Sequence, residues 1–416
     1  MRSWPFRGRR HGQAHGVLYT VLSRFSGPDG GGSHRRGDHR SRTVGEPPVS
    51  RPDALLALVL VTALAFDFTN GFHDTANAMA TSIATGALRP RVAVAVAGVF
   101  NLVGAFLSVR VAETVSGGLV DDAQVSLMMI FAGLTGGILW NVFTWFLGLP
   151  SSSTHALLGG LIGAVWVGAG ESAVFFGAVF GKVILPALLS PVVGCLLALA
   201  GICLVRLVVR DPDRGPAARA FRIGQIGSAS LVALAHGTND AQKTMGVMTL
   251  ALISGGVLAH GSPPPLWVVL TAGAAIALGT YCGGWRIIRT MGTRLTDIRP
   301  AQGFVAETAA TAVILGSSRL GFPLSTTQVC SGSILGVGLV RGLSAVRWRI
   351  AGRIALSWVL TLPSAAAIGG GCAAVAGRGV PGVALVAAAT VTATVWLAHR
   401  ARRRPVTPDN VNDPFG

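Results

Sequence analysis

Charge is scarce in this chain. Only 12% of its 416 residues are Asp, Glu, Lys or Arg, against about 25% in a soluble globular protein. With 51% hydrophobic residues and a mean hydropathy of +0.58, that scarcity excludes an ordinary soluble domain. Ten-residue alternating stretches are missing as well, which excludes a membrane β-barrel. Cysteine is sparse: Cys195, Cys203, Cys282, Cys330 and Cys372 all lie in apolar runs without ligand-like spacing. They read as packing residues rather than a disulfide frame or a metal site. Acidic residues are the rarer sign, 17 against 34 basic, for a net charge of +17. The arginines gather in the N-terminal tail and in short segments between apolar runs, so they follow the positive-inside pattern and not a nucleic-acid surface.

What remains is a set of apolar runs that approach or exceed the roughly 20 residues needed to cross a bilayer. The chain is therefore an all-α, polytopic membrane protein, and its 56 glycines suit closely approaching helices. Residues 1–51, rich in Arg, His, Gly and Ser, read as a disordered basic tail without a run long enough for a signal sequence. A first membrane repeat follows over 52–209, then a basic cytoplasmic loop over 210–222. A second repeat with the final helices occupies 223–404, and a short tail 405–416. The reading predicts roughly ten to twelve membrane helices, some broken or re-entrant. The first is expected to stop near Asn70-Gly71, 92–109 to span, and 110–122 to form a polar loop. Pro186 and Pro191 are expected to divide 173–209 into two helices.

Polar residues are concentrated in a few knots. The stretch 70–78 reads Asn-Gly-Phe-His-Asp-Thr-Ala-Asn-Ala, with His73, Asp74 and Asn77 between apolar runs. A second knot holds His236, Gly237, Thr238, Asn239 and Asp240. Polar groups at such depth are expensive and mark function by default. Aligning Gly71 with Gly237 also aligns Asp74 with Asp240, an offset of 240 − 74 = 166. Two hydroxyl clusters repeat too. Pro150 precedes Ser152, Ser153 and Thr154, Pro323 precedes Ser325, Thr326 and Thr327, and their offset is 323 − 150 = 173. A repeat with an acid in each half is the mark of two inverted repeats with a site between them.

The hydroxyl clusters are expected at helix N-termini, where free N–H groups and the dipole favour an anion. Opposed tips of this kind hold a tetrahedral oxyanion without arginine, which all four motifs lack. A carboxylate about 4 Å from the anion costs on the order of 4 kcal/mol at an effective dielectric near 20. Cations must therefore accompany the anion: protons on Asp74 or Asp240, or Na⁺ or a divalent metal. Asn77, Asn239 and the carbonyls of broken helices are the candidate cation ligands, and Glu307 a further coupling residue. No resident metal or cofactor is expected. Each piece has a plainer reading. A Ser/Thr cluster after Pro is commonly a helix cap, His73 and His155 suit packing, and Lys182 and Lys243 suit snorkelling. The double repetition favours a site. Two membrane aspartates also suggest an intramembrane aspartyl protease, but such enzymes want Gly-x-Gly-Asp where this chain has Gly237-Thr238-Asn239-Asp240.

In these motifs the chain resembles the inorganic phosphate transporter (Pit) family. Gly71 to Asn77, Pro150 to Thr154, His236 to Asp240 and Pro323 to Thr327 stand in the family's order. The resemblance covers about residues 52–400, and the form of the first knot is similar to the bacterial low-affinity branch. It implies secondary active phosphate uptake across the bacterial inner membrane, inverted repeats, an interfacial site and a homodimer. In that branch the carried species is a neutral metal–phosphate with protons. Sodium-coupled members commonly carry Glu where this chain has Asn101, whereas Glu307 matches its second-half counterpart. Sulfate or another oxyanion is the alternative substrate.

Overall fold

The computed structural model describes residues 51–413, so the expected N-terminal tail lies outside the described residues. The chain is helical. Its only extended pairings among the described residues are the single bridges Val120–Val174 and Thr296–Val346. The helices are α1 (Arg51–Ala84), α2 (Pro90–Gly104), α3 (Arg110–Gly117), α4 (Leu127–Leu147), α5 (Ser153–Ala169) and α6 (Phe176–Val208). They continue with α7 (Gly215–Ser254), α8 (Leu266–Cys282), α9 (Trp285–Arg294), α10 (Pro300–Arg319), α11 (Thr326–Leu339), α12 (Trp348–Ala376) and α13 (Val380–Arg402).

Among the described residues five helices are long and apolar enough to cross a membrane: the main length of α1, with α4, α6, α12 and α13. The pair α8–α9, bent by 61°, makes a sixth. Helices α2 and α5 are apolar but shorter, 15 and 17 residues. Large apolar side chains such as Leu188, Val192, Leu196 and Leu204 of α6 and Val359 of α12 point outward, as lipid-facing positions require.

Three sequence expectations are corrected. The knot at Asn70-Gly71 does not end α1, which runs unbroken for 34 residues. Gly71 serves packing instead: a Cβ there would lie 2.2 Å from the Ile276 carbonyl of α8. Gly237 stands equally close to the Asn101 carbonyl of α2, at 2.1 Å, and α7 likewise continues through its knot for 40 residues. Broken-helix carbonyls are therefore not offered at either acid. Residues 110–122 are not all loop, since they contain α3. The prolines do not divide α6: a π turn at Phe180–Ile184 absorbs the lost hydrogen bonds before Pro186, and Pro191 sits inside the helix.

The contacts of the first half recur in the second. Gly104 of α2 meets the Leu234 carbonyl of α7, and Gly279 of α8 meets the Phe68 carbonyl of α1. These and the two glycine contacts above are the same pair of contacts, exchanged between halves. Helix α5 packs on α12, and α11 on α6, so each half clasps the other. Two apolar cores result, and both draw on both halves. Helix α1 passes from the first core (Val59, Ala63, Phe66) to the second (Ala76, Met79, Ile83). Helix α7 passes the opposite way, from Ala229, Val232 and Ala235 to Ala241, Met245 and Met248. Asp74 and Asp240 lie where these helices change cores.

This packing yields a prediction. Gly237→Ala forces α7 away from α2, because the new methyl meets backbone and not a movable side chain. We expect a loss of about 1–3 kcal/mol, read as a lower unfolding temperature of the purified protein in detergent. Gly227→Ala on the same helix, with nothing within 4 Å of the added carbon, leaves stability unchanged; an equal loss in both variants contradicts the packing account.

Candidate functional site

Each half contributes a helical hairpin whose tip is buried. Helix α4 ends at Gly148 in the left-handed conformation (φ 67°), and α10 turns likewise at Gly321 (φ 75°). Pro150, Ser151 and Ser152 of the first tip are buried, as are Pro323, Leu324 and Ser325 of the second. Both hydroxyl clusters then open a helix, as expected. Ser152 caps α5, its Oγ accepting from the His155 amide at 3.1 Å, and Ser325 caps α11, accepting from the Gln328 amide at 3.3 Å. The plainer reading thus describes these two serines. The amides of Ser153, Thr154, Thr326 and Thr327 lie in the first turn, where no carbonyl of their own helix can accept them.

The two tips meet beside the acids. The Thr154 hydroxyl donates to the Leu324 carbonyl of the other tip at 3.0 Å. The Thr327 hydroxyl donates to Asp74 Oδ1 at 3.3 Å, and the Thr326 hydroxyl to Asp240 Oδ2 at 3.1 Å. Asn77 Nδ2 donates to the hydroxyl oxygens of Thr327 and Thr326 at 3.0 and 3.2 Å. Its Oδ1 finds no partner among the described residues. Asp74 and Asp240 are 2% and 0% exposed, so the site is closed to both sides.

His73 orients the first acid and holds the first tip. Its Nδ1 lies 2.7 Å from Asp74 Oδ1, and its Nε2 lies 3.1 Å from the Thr144 hydroxyl and 3.3 Å from that of Ser151. Asn239 occupies the equivalent place in the second half (73 + 166 = 239). It holds the second tip, donating to the Ser318 hydroxyl at 2.8 Å and the Phe322 carbonyl at 3.3 Å. Its Oδ1 also lacks a partner among the described residues.

Glu307 stands apart from this centre. It accepts from Thr81, Ser228 and Gln225, so its carboxylate has three donors of its own.

Two residues central to the geometry were not expected as ligands. Lys243 does not snorkel. It is 1% exposed, and its ammonium donates to Asp240 Oδ1 at 2.5 Å, the Thr154 hydroxyl at 2.5 Å and the Leu324 carbonyl at 2.8 Å. A resident cation therefore already faces one acid and ties both tips to α7. His236 is the other. Asn101 donates to the Thr280 hydroxyl at 2.8 Å, which leaves its Oδ1 to accept from His236 Nδ1 at 3.0 Å. Nε2 then faces Asp240 Oδ2 at 3.1 Å and Asp74 Oδ2 at 4.0 Å. A bare lone pair there would repel both carboxylates, and a shared proton or cation removes the repulsion. Asp74, His236 and Asp240 each place one such atom within 4.8 Å of the others. The signal for His236 lay in its spacing, four residues before Asp240 on one helical face.

A large cavity lies elsewhere. It is an apolar cleft of about 1070 Å³ between α1, α4 and α13, lined by residues such as Leu58, Val61, Phe131 and Val391. None of the acids opens into it.

Known proteins share this chain's sequence and fold. A model described as the phosphate transporter family matches residues 70–369. A Mycobacterium bovis protein named probable low-affinity inorganic phosphate transporter is 54% identical over 364 residues, covering 86% of this chain and 87% of that one. A Bacillus subtilis protein of the same name is 42% identical over 317 residues, covering 76% and 95%. A solved structure titled "The sodium-dependent phosphate transporter" aligns with a TM-score of 0.70 at 24% identity, over 76% of this chain and 98% of that one. At that identity the likeness is one of fold. These proteins are transporters and not enzymes, so the protease alternative falls. By its similarity to these proteins and by its matched motifs, the chain belongs to the phosphate transporter family.

Proposed function

We propose that this protein is a secondary active symporter that brings inorganic phosphate across the bacterial inner membrane together with a cation. The observation that carries this reading is the meeting of Asp74 and Asp240, one from each half, at the first turn of α11, whose hairpin tip is joined to that of α5 through Thr154 and Leu324. Phosphate oxygens would accept from the first-turn amides of Ser153, Thr154, Thr326 and Thr327 and from the hydroxyls of Thr326 and Thr327, which now point at the acids. Those hydroxyls turn to the anion only when something else satisfies the carboxylates. A cation at Asp74, His236 and Asp240, with the free Oδ1 of Asn77 nearby, meets that requirement.

The opposite passage of α1 and α7 through the two cores supports inverted repeats. Because both cores mix both halves, the bodies that move in alternating access are the two cores, with the closed site between them. The names of the relatives favour phosphate over sulfate.

The test is uptake by proteoliposomes holding the purified protein, with labelled phosphate or sulfate outside and H⁺, Na⁺ and Mg²⁺ varied one at a time. We expect saturable phosphate entry that depends on at least one cation and resists excess sulfate. Sulfate entry without phosphate entry, or phosphate entry indifferent to every cation, overturns the reading.

A further inference from the structure

We infer that Asp67, with Asn70 and Thr244, is a proton-binding site that couples H⁺ entry to substrate entry, a role that rests on the transport reading above. Asp67 lies on α1 seven residues before Asp74, and Asn70 lies between them, so all three share one helical face. Asp67 is fully buried, and neither of its carboxylate oxygens completes a hydrogen bond among the described residues. Thr244 of α7 and Asn70 are the polar side chains beside it, and Thr244 Oγ1 and Asn70 Oδ1 are likewise without partners. Four buried oxygens on neighbouring side chains are thus without a completed hydrogen bond.

The contrast with Glu307 is instructive. That carboxylate is as deeply buried but has three donors. Asp67 has only the Thr244 hydroxyl and the Asn70 carboxamide beside it, neither in completed hydrogen-bond geometry, and a buried carboxylate without completed hydrogen bonds or a counter-ion is strongly disfavoured. The repeat sharpens the point. The position equivalent to Asp67 is 67 + 166 = 233, and that equivalent to Thr244 is 244 − 166 = 78. Ala233 and Ala78 stand there, both buried in the second core. The acid is an addition to the first half alone and has no place in a two-fold anion site.

Ligand count selects the proton. A hard metal ion takes about six oxygens or more. Because α1 and α7 run unbroken here, their carbonyls are already used within the helices, and the side chains alone supply too few. A proton needs one further acceptor: a protonated Asp67 donates to Asn70 Oδ1 or Thr244 Oγ1.

The charged groups facing Asp67 are Asp240 and His236 of α7, so its proton is linked to the central site. Helices α4 and α8, which also pack on α1, carry no Asp, Glu, His, Lys or Arg. Arg286 and Arg289 of α9 donate to the carbonyls of Phe146, Ala401, Arg404 and Asn410.

Asp67→Asn, which mimics the protonated acid, tests the assignment in proteoliposomes with a pH dye inside. We expect phosphate counterflow, which needs no net proton movement, to persist. Accumulation driven by a pH gradient, and the proton entry that accompanies phosphate, should be lost. Asp67→Glu should restore proton entry with an altered pH dependence, which a merely structural residue would not produce. Wild-type proton entry in Asp67→Asn overturns the proposal, as does loss of ²²Na⁺ entry with proton entry intact, or a wild-type pH profile in Asp67→Glu. Absence of phosphate uptake by the wild-type protein would instead strike the transport reading itself.

Discussion

Asp74→Asn should abolish gradient-driven phosphate accumulation. The carboxylate is fully buried and receives the Thr327 hydroxyl on Oδ1, while His236 Nε2 approaches Oδ2. Asparagine keeps the size and one acceptor oxygen, so the hairpin tip and α1 retain their packing. What disappears is one unit of negative charge where the coupling cation must bind. At about 4 Å and an effective dielectric near 20, that charge is worth on the order of 4 kcal/mol to a cation. This corresponds to a roughly 1000-fold loss of cation affinity. Uptake should therefore fall to the level of protein-free vesicles, while the variant elutes as a monodisperse peak with an unfolding temperature close to that of wild type. Full accumulation by Asp74→Asn would falsify the role of this acid.

The sequence marks the acids and hydroxyl clusters because chemistry-bearing residues stand out in an oily chain and repeat at a near-constant offset. Ser152 and Ser325 fall at helix starts because Gly and Pro precede them, and that signal is local. The unbroken course of α1 was not legible. Asn70-Gly71 has the composition of a helix stop, and only the neighbouring α8 reveals that the missing Cβ admits a backbone carbonyl. The same misreading hid Asp67. With the helix ended at residue 70, Asp67 and Asp74 belong to different segments, whereas in one continuous helix they share a face. Lys243 was visible as a lone ammonium just after the second knot, but the convergence of Thr154 and Leu324 on it, beside Asp240 of its own helix, is a property of distant segments. Its position did carry a hint: 77 + 166 = 243 places it opposite Asn77, so one half has a carboxamide where the other has a fixed cation.

That exchange leads to the second large effect, on Lys243→Gln. The ammonium uses its three donors on Asp240, Thr154 and Leu324, and so joins α7 to the tips of both hairpins. Glutamine removes the positive charge and leaves Asp240 as a buried anion beside Asp74. Breaking a buried ion pair from one side costs about 3–5 kcal/mol, because the remaining charge is uncompensated. The unfolding temperature of Lys243→Gln should drop sharply, and phosphate uptake should be lost with it. Asp240→Asn strands the opposite charge and should destabilise the protein for the mirror-image reason. The double variant Asp240→Asn/Lys243→Gln strands neither. It should recover most of the stability lost by either single change, so the two effects are strongly non-additive. It should not recover transport, because the carboxylate that faces the coupling cation is still absent. Stability and transport thus separate in one cycle of four proteins, measured by thermal unfolding and by proteoliposome uptake. Additive destabilisation in the double variant would mean that Lys243 holds the tips by packing alone. Wild-type uptake in Lys243→Gln would remove the tethered cation from the mechanism.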